Sequence, residues 1–226
     1  MARRWWLPLG AVVLIVNVVQ WVVGEAIAAA AWTDPPYSYA ANYISDLGVP
    51  DCGTTFQDRA ICSPDHQLMN TSFVVQGILF AAGLILLSRV LRRRARRVVV
   101  ALALAHAVGF LLVGLFHGSQ DGADYGLALH MVGATVAILS ANTAVIMSGR
   151  LRRSLDIQLP SVYRLFSVTV GILGLLGVSL AGVSASTAGV FERASVYSWL
   201  LWSVVTGVLI LARTVRRAAV VENVPA

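Results

Sequence analysis

Residues 37–67 read YSYAANYISDLGVPDCGTTFQDRAICSPDHQ, the one long polar segment of the chain. Both cysteines, four of the eleven acidic residues and one of the four histidines lie in it. On either side the sequence is apolar in repeated runs of about 20 residues. At about 1.5 Å per residue, such a run crosses the hydrocarbon of a bilayer as a helix. Of 226 residues, 58% are hydrophobic and 12% charged, too few polar side chains to cover a soluble domain of this length. The expected fold is an all-α integral membrane protein, a six-transmembrane-helix bundle forming one membrane domain over 1–226. The spans fall near 5–28, 68–88, 98–116, 126–147, 161–183 and 195–212, with one long outer loop, 29–67, between spans one and two.

Orientation follows from the arginines. All 17 basic residues are arginine. Fifteen fall on one side of the expected spans: Arg3, Arg4, six between Arg89 and Arg97, Arg150, Arg152, Arg153, Arg164, Arg213, Arg216 and Arg217. Only Arg59 and Arg193 fall on the other. Positive loops stay inside, so both termini are expected in the cytoplasm and loop 29–67 outside. Nine acids, among them Glu25, Asp46, Asp121, Asp124 and Glu192, lie on or near the outer side. The sequence pI near 10 suggests nucleic acid, but these arginines sit in short loops where they set topology, so no nucleic-acid partner is expected. The basic inner rim suits anionic lipid headgroups. Arginine without lysine hints at a high-GC genome, and the expected location is a bacterial plasma membrane. The AIAAAAW tail of span one has the small-residue spacing of a signal-peptidase site, but its apolar stretch is long for a signal peptide.

Cys52 and Cys62 both fall outside, where thiols oxidise, so a disulfide is the natural reading; free thiols or soft-metal ligands are the alternatives. Closing so short a loop would stabilise by about 2–3 kcal/mol. His66, His117 and His130 are expected near the outer surface beside Asp46, Asp65, Asp121 and Asp124. Three imidazoles with carboxylates can hold zinc or copper, although no HExxH or other tight spacing is present. Hydrogen bonding across helices is the competing role. Asn17, Gln20, Asn70, Gln76, Ser140, Asn142 and Thr143 lie inside spans, where amides must face the bundle. They form interhelical bonds or a polar seam. Glu25 is either solvated at the interface or paired with Arg193. Small residues four apart, such as Gly133, Ala137 and Ala141, let helices approach closely, within one bundle or between copies. No GxSxG, P-loop or dinucleotide fingerprint is present.

Tyr43-Ile44-Ser45-Asp46-Leu47-Gly48, Met69-Asn70-x-x-Phe73-Val74-x-x-Gly77, His130-x-x-Gly133-Ala134 and Gly189-x-x-Glu192-Arg193-x-x-x-Tyr197 with Trp202 occur in this order. Together they resemble the bacterial membrane family known as domain of unknown function 998. That resemblance implies about six spans and carries no established activity. The ISDLG segment, with Pro50 and Asn70, also resembles the outer loop of the Frag1/DRAM/Sfk1 family, which implies a link to membrane-lipid organisation. In ISDLG itself, Asn42, Ser45 and Asp46 suit caps and turns, and Gly48 permits a left-handed backbone. Ile44 and Leu47, three apart, would press onto the bundle while Ser45 and Asp46 face water or a ligand.

Three functions remain in view. The first is a non-enzymatic protein that binds a lipid or a membrane-protein partner at its outer face, needing no cofactor. Its candidate ligand-binding residues are Asn42, Ser45, Asp46, Gly48, Asn70, His130, Glu192 and Arg193. The second is a membrane-embedded metal-dependent hydrolase or transferase on His66, His117 and His130, with zinc or copper activating water. The third is a small transporter, against which the lack of paired Gly/Pro-broken helices argues.

Overall fold

The structure is a computed structural model that describes residues 5–52, 54–56, 59–118, 125–149 and 159–222. Six helices form it: α1 (Trp6–Ala31), α2 (His66–Leu87), α3 (Arg93–Leu115), α4 (Tyr125–Ser148), α5 (Tyr163–Leu180) and α6 (Ala188–Glu222). Each carries a window apolar enough to cross a membrane, with mean hydropathy from 1.6 to 2.6. Exposure supports the same reading. On α3, Leu104, Val108, Leu111 and Leu115 recur at helical spacing and are all exposed. Such a stripe suits hydrocarbon, whereas water would demand polar residues there.

Each helix packs on the next, and α6 returns to α1, so the six close into a ring. Neighbours run antiparallel: Gly24 meets Ser72 and Gly10 meets Leu86 across α1 and α2, and Gly207 meets Ala11 while Arg193 reaches Glu25 across α6 and α1. The chain therefore winds up and down. The centre is aromatic. The His106 ring lies 4.5 Å from Phe80, 4.8 Å from Phe110 and 5.5 Å from Trp199, and Trp21 lies 5.6 Å from both Phe73 and Phe110. The small residues work inside the bundle. A Cβ on Gly109 would stand 2.6 Å from the Gly133 carbonyl and 2.7 Å from the Ala137 nitrogen, so α3 and α4 touch backbone to backbone there.

Boundaries differ from the sequence expectation at informative places. α6 begins at Ala188 rather than near 195, which puts Glu192 and Arg193 on its first turns instead of in a loop. Polar residues can sit there because residues 37–44, between α1 and α2, bond them. Pro160 lies ahead of α5, and its carbonyl accepts a bond from the Tyr163 nitrogen at 3.0 Å. Between α1 and α2 stands a short 3-10 turn, Ser45–Gly48, and then an unexpected hairpin of β1 (Thr54–Phe56) and β2 (Arg59–Ile61), with Phe56 opposite Arg59. Cys52 and Cys62 form a disulfide at its base.

The buried amides divide. Asn142 donates to the Ile138 and Ser195 carbonyls and accepts from Ser198. Asn17 and Gln76 also face the interior, but their side chains find no hydrogen-bond partner among the described residues. Replacing Gly109 by Ala is expected to destabilise the bundle by about 1–3 kcal/mol through the α3–α4 backbone contact. Thermal unfolding in neutral detergent checks this, with Gly182→Ala, where a Cβ meets nothing within 4 Å, as the control expected to unfold with the wild type.

Candidate functional site

The site lies at the end of the bundle covered by 32–65 and is held by two buried ion pairs. Arg193, on α6, spans 2.9 Å to Glu25 on α1, with side chains 10% and 2% exposed. Its Nη1 donates to the carbonyls of Tyr39, Asn42 and Gly189 at 2.7, 2.9 and 3.2 Å, and its Nη2 donates to the Tyr37 hydroxyl. The guanidinium stands 4.8 Å from the Tyr39 ring centroid. Glu25 also accepts from Trp21 Nε1 at 3.1 Å and the Tyr197 hydroxyl at 2.9 Å. Glu25 is thus paired with Arg193, the second of its two expected states.

The second pair joins the hairpin to the ISDLG turn. Arg59 Nε donates to Asp46 Oδ2 at 3.2 Å, and both side chains are 5% exposed. The same oxygen accepts from the Tyr43 backbone at 2.9 Å and from Asn42 Nδ2 at 3.3 Å. Arg59 also lies 4.2 Å from the Tyr43 ring centroid. Asp46 therefore closes its own turn and does not face water. Ile44 and Leu47 are buried as expected. Below the turn, Asn70 donates to the Gly48 carbonyl at 2.8 Å, and Ser63 donates to the Leu47 carbonyl at 2.6 Å. Gly48 does not adopt a left-handed backbone; it is needed because a Cβ there would run into the Asn70 amide. Burial pushes the Tyr37 and Tyr43 hydroxyls above the usual phenol range, against the pull of Arg193 and Arg59. Both stay neutral donors: Tyr37 to the Tyr43 carbonyl at 2.9 Å, Tyr43 to the Ala181 carbonyl at 3.0 Å.

Beneath this cover is a cavity of about 230 Å³. Its polar lining is Tyr43, Ser45, Asp46, His130, Thr135, Glu192 and Ser195; its apolar lining includes Val49, Leu127, Met131, Ala134, Ile138 and Val178. It exists because α5 changes neighbours along its length. Toward one end, Gly149 meets Arg164 and Gly171 meets Asn142 and Ile146, so α4 and α5 touch. Toward the other, Gly177 meets Phe191, Ala194 and Ser195, so α5 leans onto α6 and leaves α4. Met131, 55% exposed, and the exposed Thr135 and Gly182 line the gap. The cavity therefore opens sideways at the level of the apolar helices.

Of the eight candidate ligand residues, Ser45, Asp46, His130 and Glu192 line this cavity. Asn42, Gly48, Asn70 and Arg193 instead hold the cover in place. None of the intramembrane amides lines it, so the expected seam and the cavity do not coincide. The three histidines are not brought together: among the described residues no three His, Cys, Asp or Glu side chains gather to hold a metal ion. His130 Nδ1 is bound to the Phe116 carbonyl at 2.8 Å and His66 Nδ1 to the Ser63 carbonyl at 3.1 Å, the hydrogen-bonding role weighed against metal. Asp121 and Asp124 lie outside the described residues. Sequence reasoning missed Arg59 as the partner of Asp46, and missed Tyr43, Met131 and Thr135 as lining. Only the rarity of outer arginines marked Arg59.

Arg193→Leu is expected to destabilise the protein by about 3–5 kcal/mol, because it strands a buried carboxylate. Glu25→Leu/Arg193→Leu is expected to cost clearly less than the two single changes summed, since contacting residues are not additive. Unfolding midpoints in detergent, with urea as denaturant, check the cycle; simple additivity would mean that the pair is not coupled.

No curated protein and no solved structure matches the chain. Residues 14–209 match the family model described as "Protein of unknown function (DUF998)". That stretch runs from inside α1 to inside α6 and includes every residue of the cavity and its cover. The chain belongs to the DUF998 family.

Proposed function

We propose that the protein holds a membrane amphiphile, its head in the cavity under the ISDLG turn and its tail leaving between α4 and α5. The observation that carries this is the cavity's composition and opening: a polar lining on the covered side, an apolar lining along α4, and exposed Met131 and Thr135 at its mouth. Pockets for whole small molecules run upward from about 300 Å³, so about 230 Å³ suits a head and its first carbons, with the tail remaining in lipid. The cover supports the same direction of access, since 37–48 is pinned to α1, α2, α5 and α6 by the bonds described above. Binding alone satisfies this reading, with no bond made or broken.

The test uses phosphatidylethanolamine and phosphatidylglycerol with a photoactivatable diazirine in the tail, in one bilayer containing the protein. Cross-links of at least one lipid are expected to concentrate on 127–138 and 178–182 and to vanish in Ala134→Trp, which fills the cavity. Labelling spread evenly over the lipid-facing residues and unchanged by that substitution would overturn the proposal.

We place the protein in a bacterial plasma membrane with both termini cytoplasmic and 32–65 outside, on the strength of the arginine distribution. In a Cys52→Ser/Cys62→Ser background, an impermeant maleimide added to intact cells is expected to label Thr33→Cys. Arg94→Cys is expected to react only after the membrane is opened. The reverse pattern would invert the assignment.

A further inference from the structure

Three carboxylates are gathered at the covered end of the bundle, Glu25, Asp46 and Glu192, and two guanidiniums, Arg59 and Arg193. The pairing uses each guanidinium once: Arg193 with Glu25 at 2.9 Å, Arg59 with Asp46 at 3.2 Å. Glu192 forms no ion pair among the described residues; its Oε2 accepts the backbone N–H of Ile44. Arg193, next to it in sequence, is committed to Glu25, Tyr37 and three carbonyls. Glu192 is also the carboxylate that lines the cavity without a cation of its own.

The rest of the polar lining is rich in acceptors. The Tyr43 hydroxyl donates its proton to the Ala181 carbonyl and so offers no donor to the cavity. His130 Nδ1 faces the Phe116 carbonyl, which can only accept, so Nδ1 carries the proton and the neutral ring keeps Nε2 as an acceptor. Asp46 is an acceptor throughout. Ser45 and Thr135 are the lining side chains with a hydroxyl not engaged elsewhere, each able to accept as well as donate, and no arginine is among the lining residues. A phosphate or sulfate would meet carboxylates and acceptors there, whereas an ammonium supplies both the missing charge and the missing donors.

Resting on the amphiphile reading above, we infer that the cavity selects an amphiphile whose head ends in an ammonium group, with Glu192 as its counter-charge. An ethanolamine-type head, with its phosphate left toward the mouth, belongs to this class.

The experiment is competition for the photoactivatable phosphatidylethanolamine on 127–138, by dodecylammonium, dodecanol and dodecyl phosphate at matched partition into the bilayer. Dodecylammonium is expected to displace the probe at a roughly tenfold lower concentration than dodecyl phosphate, the size of one charge-assisted hydrogen bond. Glu192→Gln, which keeps the acceptor for the Ile44 N–H, is expected to shrink that preference to less than about threefold. If dodecyl phosphate competes as well as dodecylammonium in the unaltered protein, the ammonium assignment falls and the amphiphile site stands. Full preference retained in Glu192→Gln would remove Glu192 from the role. If no competitor displaces the probe from 127–138, the amphiphile reading itself fails. The ranking in the unaltered protein decides the head group even if Glu192→Gln does not fold.

Discussion

Arg193 is where the membrane bundle and its cover become one structure. It sits on α6, pairs with a glutamate on α1, and ties three backbone carbonyls, two of them from the segment between α1 and α2. In a medium where unpaired charge is costly, an arginine at a helix end normally reaches for water. Here the cover denies it water, and every nitrogen of the guanidinium finds a protein acceptor instead. The burial is tolerable only as a set: Glu25 supplies the charge, Trp21 and Tyr197 satisfy the rest of Glu25, and the Tyr37 and Tyr39 rings flank the cation. Removing one member exposes the others to an uncompensated charge. Stability and the position of the ISDLG turn are therefore set by the same contacts.

The Asp46–Arg59 pair repeats this logic one layer away. Arg59 comes from a two-stranded hairpin whose base is closed by Cys52–Cys62, and a hairpin alone is marginal in water. The disulfide and the ion pair support each other: the first holds the strands together, and the second anchors them to the turn below. Asp46 has little freedom left, since its oxygens already serve Tyr43, Asn42 and Arg59. It shapes the roof of the cavity, while Glu192 has no ion pair of its own among the described residues. Two carboxylates that look alike in sequence thus differ through their neighbours.

The helices were legible because membrane spans announce themselves by length and apolarity, which need no long-range information. The buried Ile44 and Leu47 were legible from spacing, and the pairing of Glu25 with Arg193 was one of two states the sequence left open for Glu25. The hairpin was harder, because Thr54–Phe56 and Arg59–Ile61 are each too short to show a period of two. Arg59 as the partner of Asp46 was hidden because the two lie thirteen positions apart, on either side of strand β1, and nothing local fixes that return. Gly48 illustrates a different failure. Its need for glycine comes from Asn70 on another helix, not from its own backbone angles, so turn chemistry gave the right residue for the wrong reason. The cavity was invisible for a like reason. It arises because α5 leaves α4 for α6, a choice made by the facing pairs Gly171–Asn142 and Gly177–Ser195.

The ISDLG segment admits two interpretations, a plug that closes the bundle and a site that receives a ligand. The geometry makes these one statement. Because the turn is bonded to α2 through Asn70, to α5 through Tyr43, and to α6 through Ile44 and the contacts of Arg193, it closes the end of the bundle. Closing the end leaves the gap between α4 and α5 as the open side of the cavity, and that gap is lined by side chains suited to hydrocarbon. A water-soluble ligand would have to leave water and cross that apolar girdle, whereas a lipid is already there. On the proposed amphiphile reading, the plug would act as a selector: by blocking the aqueous route it would restrict the cavity to molecules that arrive through the membrane. On that reading, the residues that make the cover rigid would matter to ligand choice without touching the ligand.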